Sequence, residues 1–284
     1  MTGLPDIRVA ALPDVRMSAP DLSTTKLTEA GSNWLAAMRR GDFSCAWSIS
    51  DMVLAQRLTE GTRGHLPRHQ QWVWDGRPLA GERVLVRCYH GLGDTIQFAR
   101  FLPQLVRLAR AVVVWAPTPL LPLLRTLDGC FELLPMHDGA PAVEHDVDIE
   151  IMELPHALRV TFDSLPAAVP YFAVPAAERF TGAFSVGLVA RAGDWDAERS
   201  IEADALVDAV RKPQLFNLQL EQPIARMRDI STPDVLTLAA RLQALDLVIS
   251  VDTMVAHLAG ALAVPTWTLL KADADWRWME GRSD

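Results

Sequence analysis

The stretch RVLVRCYHGLGDTIQFARFL, residues 83–102, decides the fold class. It opens with a short apolar run of the kind found in strands, turns at Gly91 and Gly93, and continues with apolar residues at helical spacing. Glycine allows a sharp turn and a close approach of the backbone to a ligand. The stretch therefore predicts a strand that runs directly into a helix, with a ligand-accessible turn between them.

The same alternation recurs along the chain in two series. Strands are predicted near residues 84–89, 112–117, 131–135 and 146–152, and again near 184–190, 214–220, 247–252 and 266–270. Apolar strands separated by helices are typical of parallel sheets covered on both faces, so we predict the α/β class. Two series predict two Rossmann-like domains, residues 74–174 and 175–284, that face each other across a cleft.

The segment before the first series has a different pattern. Within residues 25–73, LTEAGSNWLAAMRR and SCAWSISDMVLAQRL carry apolar residues at helical spacing around a GDF turn, which predicts a helical hairpin followed by a linker. The hairpin looks like one tetratricopeptide-type unit. A single unit cannot bury its own apolar face, so it must dock on its own chain or on a protein partner. Residues 1–24 are predicted to be a flexible leader.

Composition excludes several classes of protein. The net charge of -8 argues against a nucleic-acid partner. No apolar run reaches the roughly 18 residues that a membrane helix needs, and no signal peptide opens the chain, so a cytoplasmic protein without a transmembrane segment is expected. Cys45, Cys88 and Cys130 are too few for a disulfide framework and lie in apolar contexts, so all are expected to be buried free thiols.

Asp94 is the unusual residue of the glycine turn. A dinucleotide-binding turn would have glycine where Ile96 stands, and the Gly-Lys-Ser/Thr of a P-loop is missing. The negative charge of Asp94 also disfavours an anion at this helix N-terminus. Two interpretations remain open: Asp94 only caps the helix, or it faces the cleft as a general base within reach of an acceptor hydroxyl.

A second informative stretch is LVISVDTMVAHLAGALAVPTW, residues 247–267. It predicts a strand, a polar turn and a buried helix. Thr253 and the free amides of the first helical turn could hold a diphosphate. His257 lies one turn further on the same face, as a ligand-binding residue or as an ordinary core histidine. Asp252 is either a cap or a site residue.

A third stretch, ARAGDWDAERSIEAD, residues 190–204, follows another predicted strand. Arg191 and Arg199 suit phosphate oxygens, although arginines are also common on exposed loops. Ser200 is predicted to cap the next helix. We expect no metal at the Asp-x-Asp spacing of residues 194–196.

Together the three stretches resemble a known family. GLGDTIQFARFLPQL, RSI, NLQLE, ISVDTMVAHLAGALAVPTWTLL and DADWRWM are similar to the glycosyltransferase domain at the end of many bacterial tetratricopeptide-repeat proteins, which is related to the ADP-heptose:lipopolysaccharide heptosyltransferases. The likeness runs from about Trp74 to the end of the chain. It implies a GT-B fold, in which the N-terminal domain takes the acceptor and the C-terminal domain takes a nucleotide-sugar donor.

The resemblance also implies roles for residues. Asp94 would be the catalytic base of an inverting, metal-independent transfer to a glycan, lipopolysaccharide or protein hydroxyl, and no cofactor is implied. The acceptor-side loop would contain Gly91, Gly93 and Gln97. The nucleotide-sugar would be bound by Arg191, Arg199, Ser200, Gln219, Asp252, Thr253, Met254 and His257.

Two alternatives remain open. Relatives tend to carry a lysine where this chain has Leu220 and Glu221, and their loop after the strand at residues 184–190 is different. A catalytically silent binding or scaffold module of the same fold would need neither feature. An epimerase acting on the nucleotide-sugar itself is the weaker alternative.

Overall fold

The computed structural model describes residues 24–61, 66–210 and 214–279, so the leader expected over residues 1–24 lies outside the described residues except for Thr24. None of the helices in these ranges is long and apolar enough to cross a membrane. The helices are α1 (Thr24–Arg39), α2 (Phe43–Glu60), α3 (Leu92–Phe98), α4 (Leu102–Leu108), α5 (Leu121–Leu124), α6 (Leu154–Ala157), α7 (Ala203–Ala209), α8 (Val235–Gln243) and α9 (Met254–Ala261). The strands are β1 (Arg83–Arg87), β2 (Ala111–Ala116), β3 (Glu132–Pro135), β4 (Val147–Glu150), β5 (Ser185–Val189), β6 (Gln214–Asn217), β7 (Arg228–Asp229), β8 (Leu247–Val251) and β9 (Thr266–Leu269).

The strands form two parallel sheets. The first has the order β3-β2-β1-β4 and the second the order β7-β6-β5-β8-β9. Every pair of neighbours in both sheets runs parallel. The predicted α/β class with parallel sheets is therefore confirmed. Strand β7 was missed by sequence reasoning, because its two residues are charged and exposed and carry no apolar signal.

Each sheet contains a point where the strand order reverses. From β1 the chain moves outward to β2 and β3 and then returns to the other side of β1 as β4. In the second sheet the chain leaves β5 in one direction through β6 and β7, and β8 and β9 lie on the other side. The loops that follow β1 and β4 therefore diverge and leave a first crevice. The loops that follow β5 and β8 diverge in the same way and leave a second. Crevices of this kind suit ligands.

The half of the chain with the first sheet and the half with the second sheet pack together at the carboxyl ends of their strands. Buried side chains from both sheets belong to one continuous hydrophobic cluster, which includes Val84 and Val248. Helices α3 and α9 pack directly on each other. A Cβ atom placed on Gly93 of α3 would lie 2.8 Å from Cδ2 of His257 in α9. The domain bounds at residues 74–174 and 175–284 stay predictions.

Helices α1 and α2 pack on each other and connect to both ends of the fold. The ring of Trp34 in α1 contacts that of Trp276 edge-on, with centroids 5.1 Å apart. The indole N–H of Trp47 in α2 donates to the carbonyl of Val160, at 2.6 Å. The helical pair thus holds the C-terminal residues 271–279 against the half of the chain that contains the first sheet.

The cysteines differ from expectation. Cys88 is buried, as predicted, but Cys45 and Cys130 are exposed. Cys45 lies in the first turn of α2, where its backbone N–H donates to the capping side chain of Asp42 at 3.1 Å. An apolar neighbourhood in the sequence did not decide burial here, because the outer side of an amphipathic helix and a turn both face solvent.

Candidate functional site

The turn between β1 and α3 holds Asp94 in a defined position. Gly91 is the N-cap residue of α3, so Asp94 occupies the third position of the helix and not the cap itself. Its Oδ2 accepts a hydrogen bond from the backbone N–H of Gly91, at 2.8 Å. A glycine cap has no side chain, so the residue types do not mark this helix start in the sequence. Asp94 is thus one half of a capping box.

The other carboxylate oxygen of Asp94 is engaged by a residue 183 positions further along the chain. Arg277 donates from Nη1 to Oδ1 of Asp94 and from Nε to Oδ1 of Asp275, the latter at 2.8 Å. The side chains of Arg277 and Asp94 are only 14% and 21% exposed. Burial acts to lower the pKa of Arg277, but its two carboxylate partners outweigh burial and raise it. The Arg277 guanidinium therefore remains positively charged beside the Asp94 carboxylate.

An acidic side chain lies at the carboxyl end of β4, on the other side of the same crevice. Glu150 is 5% exposed, and burial raises its pKa from 4.5 to about 8. Its Oε2 accepts from the backbone N–H of Met152 at 2.7 Å and lies 4.0 Å from Nε2 of His90. Burial lowers the pKa of His90. At neutral pH the two groups therefore form an uncharged pair beside Asp94.

The crevice of the second sheet contains a network around Asp252, directly after β8. Arg199 donates from Nη1 to the backbone carbonyl of Asp252 at 2.9 Å, and the same nitrogen is 3.8 Å from the carboxylate. Nε2 of His257 is 3.5 Å from the other carboxylate oxygen. Burial acts to raise the pKa of Asp252, but the hydrogen bond and charge of His257 and the charge of Arg199 outweigh burial and hold the pKa below its usual value.

His257 lies at the junction of the two halves. Its ring stacks on that of Trp278 with centroids 5.2 Å apart. On another side it meets Gly93, and the Cα of Met254 would lie 3.3 Å from a Cβ atom on that glycine. The predicted acceptor-side and donor-side loops are thus in direct contact.

Thr253 is the N-cap residue of α9, but its side chain does not cap the helix. Its hydroxyl lies 3.0 Å from that of Ser250. Ser200, predicted to cap a helix, does not: α7 begins only at Ala203, and Glu202 is its N-cap residue. The Ser200 hydroxyl instead accepts from the backbone N–H of Ala192, at 3.0 Å. The prediction failed because two extended residues separate Ser200 from the helix.

Gln219 and Arg191 support a neighbouring loop. The Gln219 side chain accepts from the backbone N–H of Arg191 at 3.0 Å and donates to the carbonyls of Glu221 and Gln222 at 2.9 and 2.6 Å. Arg191 is exposed and donates from Nη1 to Oε1 of Gln222, at 2.8 Å. Gln97 lies partly buried in α3, where its carbonyl accepts from Nε of Arg100 at 3.1 Å.

Sequence reasoning missed several residues of this region. Arg277 lies in DADWRWM, and the only sequence signal for it was an arginine between two tryptophans with acidic residues nearby. Glu150 was visible as an acid inside the apolar strand pattern DVDIEIM. Lys271, which follows β9, forms an ion pair with Asp196 at 2.8 Å. No local pattern could indicate that pair.

The comparisons with known proteins give a likeness of fold. No protein-family model and no curated protein sequence matches the chain. Among solved structures, the chain is similar to a glycosyl transferase family 9 protein from Veillonella parvula, at 13% identity and a TM-score of 0.48, over 70% of this chain and 84% of that one. It is similar to the heptosyltransferase WaaC of E. coli with ADP, at 14% identity and a TM-score of 0.43, over 67% and 88% of the two chains. It is also similar to the dodecameric iron-containing heptosyltransferase TibC in complex with ADP-D-beta-D-heptose, at 9% identity and a TM-score of 0.46, over 73% and 67%. At these identities and TM-scores the likeness assigns no role to any residue of this chain.

Proposed function

We propose that the protein is a glycosyltransferase that moves a sugar from a nucleoside-diphosphate donor to a hydroxyl acceptor, with inversion and without a metal. One observation carries the proposal: helix α3, which holds the Asp94 carboxylate at the crevice of one sheet, packs on helix α9, which starts beside Arg199 and Asp252 at the crevice of the other. Transfer of this kind needs a base on one side and stabilisation of a leaving diphosphate on the other. We assign the first role to Asp94 in one crevice and the second to Arg199 in the other.

In the proposed reaction the acceptor oxygen attacks the anomeric carbon while its proton passes to the Asp94 carboxylate. The bond between the anomeric carbon and the diphosphate oxygen breaks, and the diphosphate leaves with the electron pair of that bond. The Arg199 guanidinium and the backbone amides that follow Thr253 are the groups suited to stabilise the new negative charge.

Arg277 positions the carboxylate of Asp94. Each oxygen of the Asp94 carboxylate accepts one hydrogen bond, from Arg277 and from Gly91 respectively. A carboxylate oxygen can accept more than one hydrogen bond, so a lone pair remains for the acceptor hydroxyl. In the proposed reaction Arg277 and Gly91 hold the carboxylate in one orientation while it takes the proton.

A catalytically silent module of the same fold is the second candidate, and the packing of the crevices favours it. Gly93 lies so close to His257 that a single added carbon would sit 2.8 Å from the ring. A nucleotide-sugar could enter between these helices only if they moved apart. A silent module would keep this contact permanently closed.

A thermal-shift screen of the full chain against ADP, UDP, GDP and their sugar conjugates tests the proposal. A ligand that binds the folded state raises Tm according to the ratio of its concentration to Kd. The expected result is a shift with one nucleotide, retained in Asp94→Asn and reduced in Arg199→Gln.

If a nucleotide binds, an activity assay separates the transferase from the silent module and from the epimerase. Release of free nucleoside diphosphate in the presence of an acceptor, lost in Asp94→Asn, is expected of the transferase. Binding without any turnover would favour the silent module, and interconversion of the donor without an acceptor would indicate an epimerase. If the folded protein shows no shift in Tm with any nucleotide or nucleotide-sugar of the panel, the transferase proposal is refuted.

A further inference from the structure

Strand β9 is an edge of the second sheet, and its sequence differs from that of the other sheet edges. Edge strands present unpaired N–H and C=O groups, and proteins usually block them with charged residues or proline. Strand β3 contains Glu132 and Pro135, and β4 contains Asp148 and Glu150. Both residues of β7 are charged. Strand β9, with the sequence TWTL, has neither a charge nor a proline, so its own residues do not block pairing with another strand.

Apolar side chains of β9 are exposed beside this edge. The Trp267 ring is 63% exposed, and Leu270, directly after the strand, is 42% exposed. Among the described elements β9 packs mainly on β8 and α9. Scattered apolar residues on a surface are ordinary, but adjoining ones mark an interaction surface. The chemistry of β9 therefore suits a partner that supplies both backbone hydrogen bonds and apolar contact.

The register of β8 and β9 shows which backbone groups point outward. Thr266 lies beside Val248, and the Val248 N–H donates to the carbonyl of Pro265 at 2.9 Å. Along a strand the backbone groups of successive residues point alternately to the two sides, so those of Pro265 point toward β8. Thr266 and Thr268 therefore direct their N–H and C=O groups away from β8. The same alternation applies to Leu270.

These outward groups are complementary to a second copy of the same strand. When two copies run antiparallel with their Thr268 residues opposite each other, the two threonines exchange both backbone hydrogen bonds. Thr266 of each copy does the same with Leu270 of the other. Trp267 then lies opposite Leu269 of the other copy, on the same face of the sheet. We propose that β9 is a dimer interface, at which two five-stranded sheets join into one continuous sheet.

Charge favours a second copy over another occupant. The net charge of -8 disfavours self-association through charged parts of the surface, whereas β9 carries no charge. The first ionisable residue after β9 is Lys271, which is held by Asp196 at 2.8 Å and lies opposite Pro265 of the other copy, so the pairing sets no like charges against each other. An acidic or basic peptide would find no opposite charge on this edge.

The proposed interface is small. It uses about five residues of each copy, whereas a standard interface uses about 20–30 on each side. We therefore expect a reversible dimer that forms at micromolar concentration. Trp267 then contributes to association of two copies and not to the folding of one. The dimer is independent of the proposed transfer and stands whether or not the crevices carry it out.

Sedimentation of the full chain from about 1 to about 300 µM tests the proposal, and the average mass should rise from that of the monomer toward that of the dimer. Trp267→Lys places a charge on the edge and should raise Kd by about tenfold or more. Thr268→Pro removes an outward N–H but no bond to β8, and should act in the same way. Phe184→Ala is the control, because that ring is also exposed, at 56%, and its loss should leave Kd unchanged. Circular dichroism at low concentration confirms that each variant is folded.

Cross-linking tests the antiparallel register. The exposed Cys45 and Cys130 are first changed to serine. In this background Thr268→Cys places two thiols on residues whose Cα atoms are about 5.5 Å apart in the proposed pair. Thr266→Cys places them about 14 Å apart along the strands, because four residues separate them. A bismaleimide too short for the longer distance should link the first variant and not the second.

The proposal is overturned if the wild type remains monomeric across the concentration range. It is also overturned if the dimer persists with the same Kd in both Trp267→Lys and Thr268→Pro, since another surface would then hold it. Amide hydrogen exchange of residues 266–270 should slow as concentration rises. Protection that is equal at low and high concentration would mean that the same chain covers the edge, and equal linking of the two thiol variants would refute the register.

Discussion

At the scale of single residues, the two acids of the first crevice behave in opposite ways. Asp94 is held by a guanidinium and a backbone N–H. The ion-pair contact described for Glu150 is with the His90 ring, 4.0 Å away, and burial lowers the pKa of that ring. Desolvation dominates at Glu150 and raises its pKa to about 8. The crevice thus contains one acid held by two hydrogen bonds and one carboxyl group that keeps its proton at neutral pH.

Glu150 should make stability depend on pH. Its pKa is about 8 in the folded protein against 4.5 for the unperturbed group, so between these values the folded state holds a proton that the unfolded chain has released. The free energy of unfolding should fall as pH rises through this window. Glu150→Gln removes the dependence and should be roughly 4 kcal/mol more stable than wild type near pH 8, with little difference near pH 4.5.

Urea denaturation of both proteins across this pH range measures the effect. The matched control is Glu178→Gln, an exposed glutamate that should retain the wild-type slope. Parallel curves for wild type and Glu150→Gln would show that Glu150 ionises normally.

The pair of Asp94 and Arg277 should be coupled in stability. Both side chains are largely buried, so removing the charge of Arg277 leaves the Asp94 carboxylate without a cation, whereas removing that of Asp94 leaves Arg277 paired with Asp275 alone. Arg277→Gln should lose about 1–3 kcal/mol of unfolding free energy, and a double-mutant cycle with Asp94→Asn should give a coupling of about 1–2 kcal/mol. Denaturant melts of the four proteins provide the cycle. The exposed pair of Arg77 and Asp75 is the control and should show almost no coupling; equal coupling in both pairs would contradict the buried role of Arg277.

At the scale of elements, the start of α3 and the start of α9 form the contact that closes the crevices. Each helix follows a buried strand of its sheet, β1 or β8, so the carboxyl ends of the two sheets approach each other there. Glycine at position 93 permits this approach, because any larger residue meets the α9 backbone as well as a side chain. The spacing of α3 and α9 is therefore set by the absence of one Cβ atom.

Gly93→Ala should separate the two helices. The new Cβ would lie 2.8 Å from the His257 ring and 3.3 Å from the Met254 Cα, and the backbone atom cannot rotate away. We expect a loss of about 1–3 kcal/mol in denaturant melts and faster amide hydrogen exchange in both helices. Gly260→Ala, an exposed position of α9 where a Cβ meets nothing, should gain about 0.5–1 kcal/mol. Wild-type stability of Gly93→Ala would mean that the contact is looser than the structure describes.

At the scale of the whole molecule, residues 271–279 tie the parts together. Trp276 contacts Trp34 of α1 and Phe98 of α3, with ring centroids 5.1 and 6.2 Å apart. Arg39 of α1 donates to the carbonyl of Ala274 at 2.9 Å. The helical pair therefore stabilises the segment that brings Arg277 to Asp94, and this segment connects the N-terminal helices to the first crevice.

Trp276→Ala should weaken the whole fold and not only its C-terminal segment. Loss of a ring that bridges three parts of the chain should cost about 2–4 kcal/mol. Trp267→Ala is the matched control, because that ring is 63% exposed and its loss should cost less than about 0.5 kcal/mol. Urea denaturation followed by circular dichroism measures both, and similar small losses in the two variants would refute the bridging role of Trp276.

The sequence by itself determined the α/β class, the parallel sheets and the positions of the turns after β1, β5 and β8. Local patterns are sufficient for this, because apolar strands, glycine turns and helical spacing act over a few residues. The same reasoning placed Asp94 and Asp252 in turns that follow strands, where ligands bind in such sheets, and His257 on the helix after the second of these turns.

Only the tertiary structure decided what those residues contact. The partner of Asp94 is 183 residues away along the chain. The pKa of Glu150 depends on burial by side chains from other elements. The cavity lined by Trp34, Trp47 and Trp74 exists only where α1 and α2 dock on the first half of the fold. Desolvation and charge pairing depend on distance in space and not on separation along the chain. No pattern within a short stretch of sequence could therefore show that Arg277 covers Asp94.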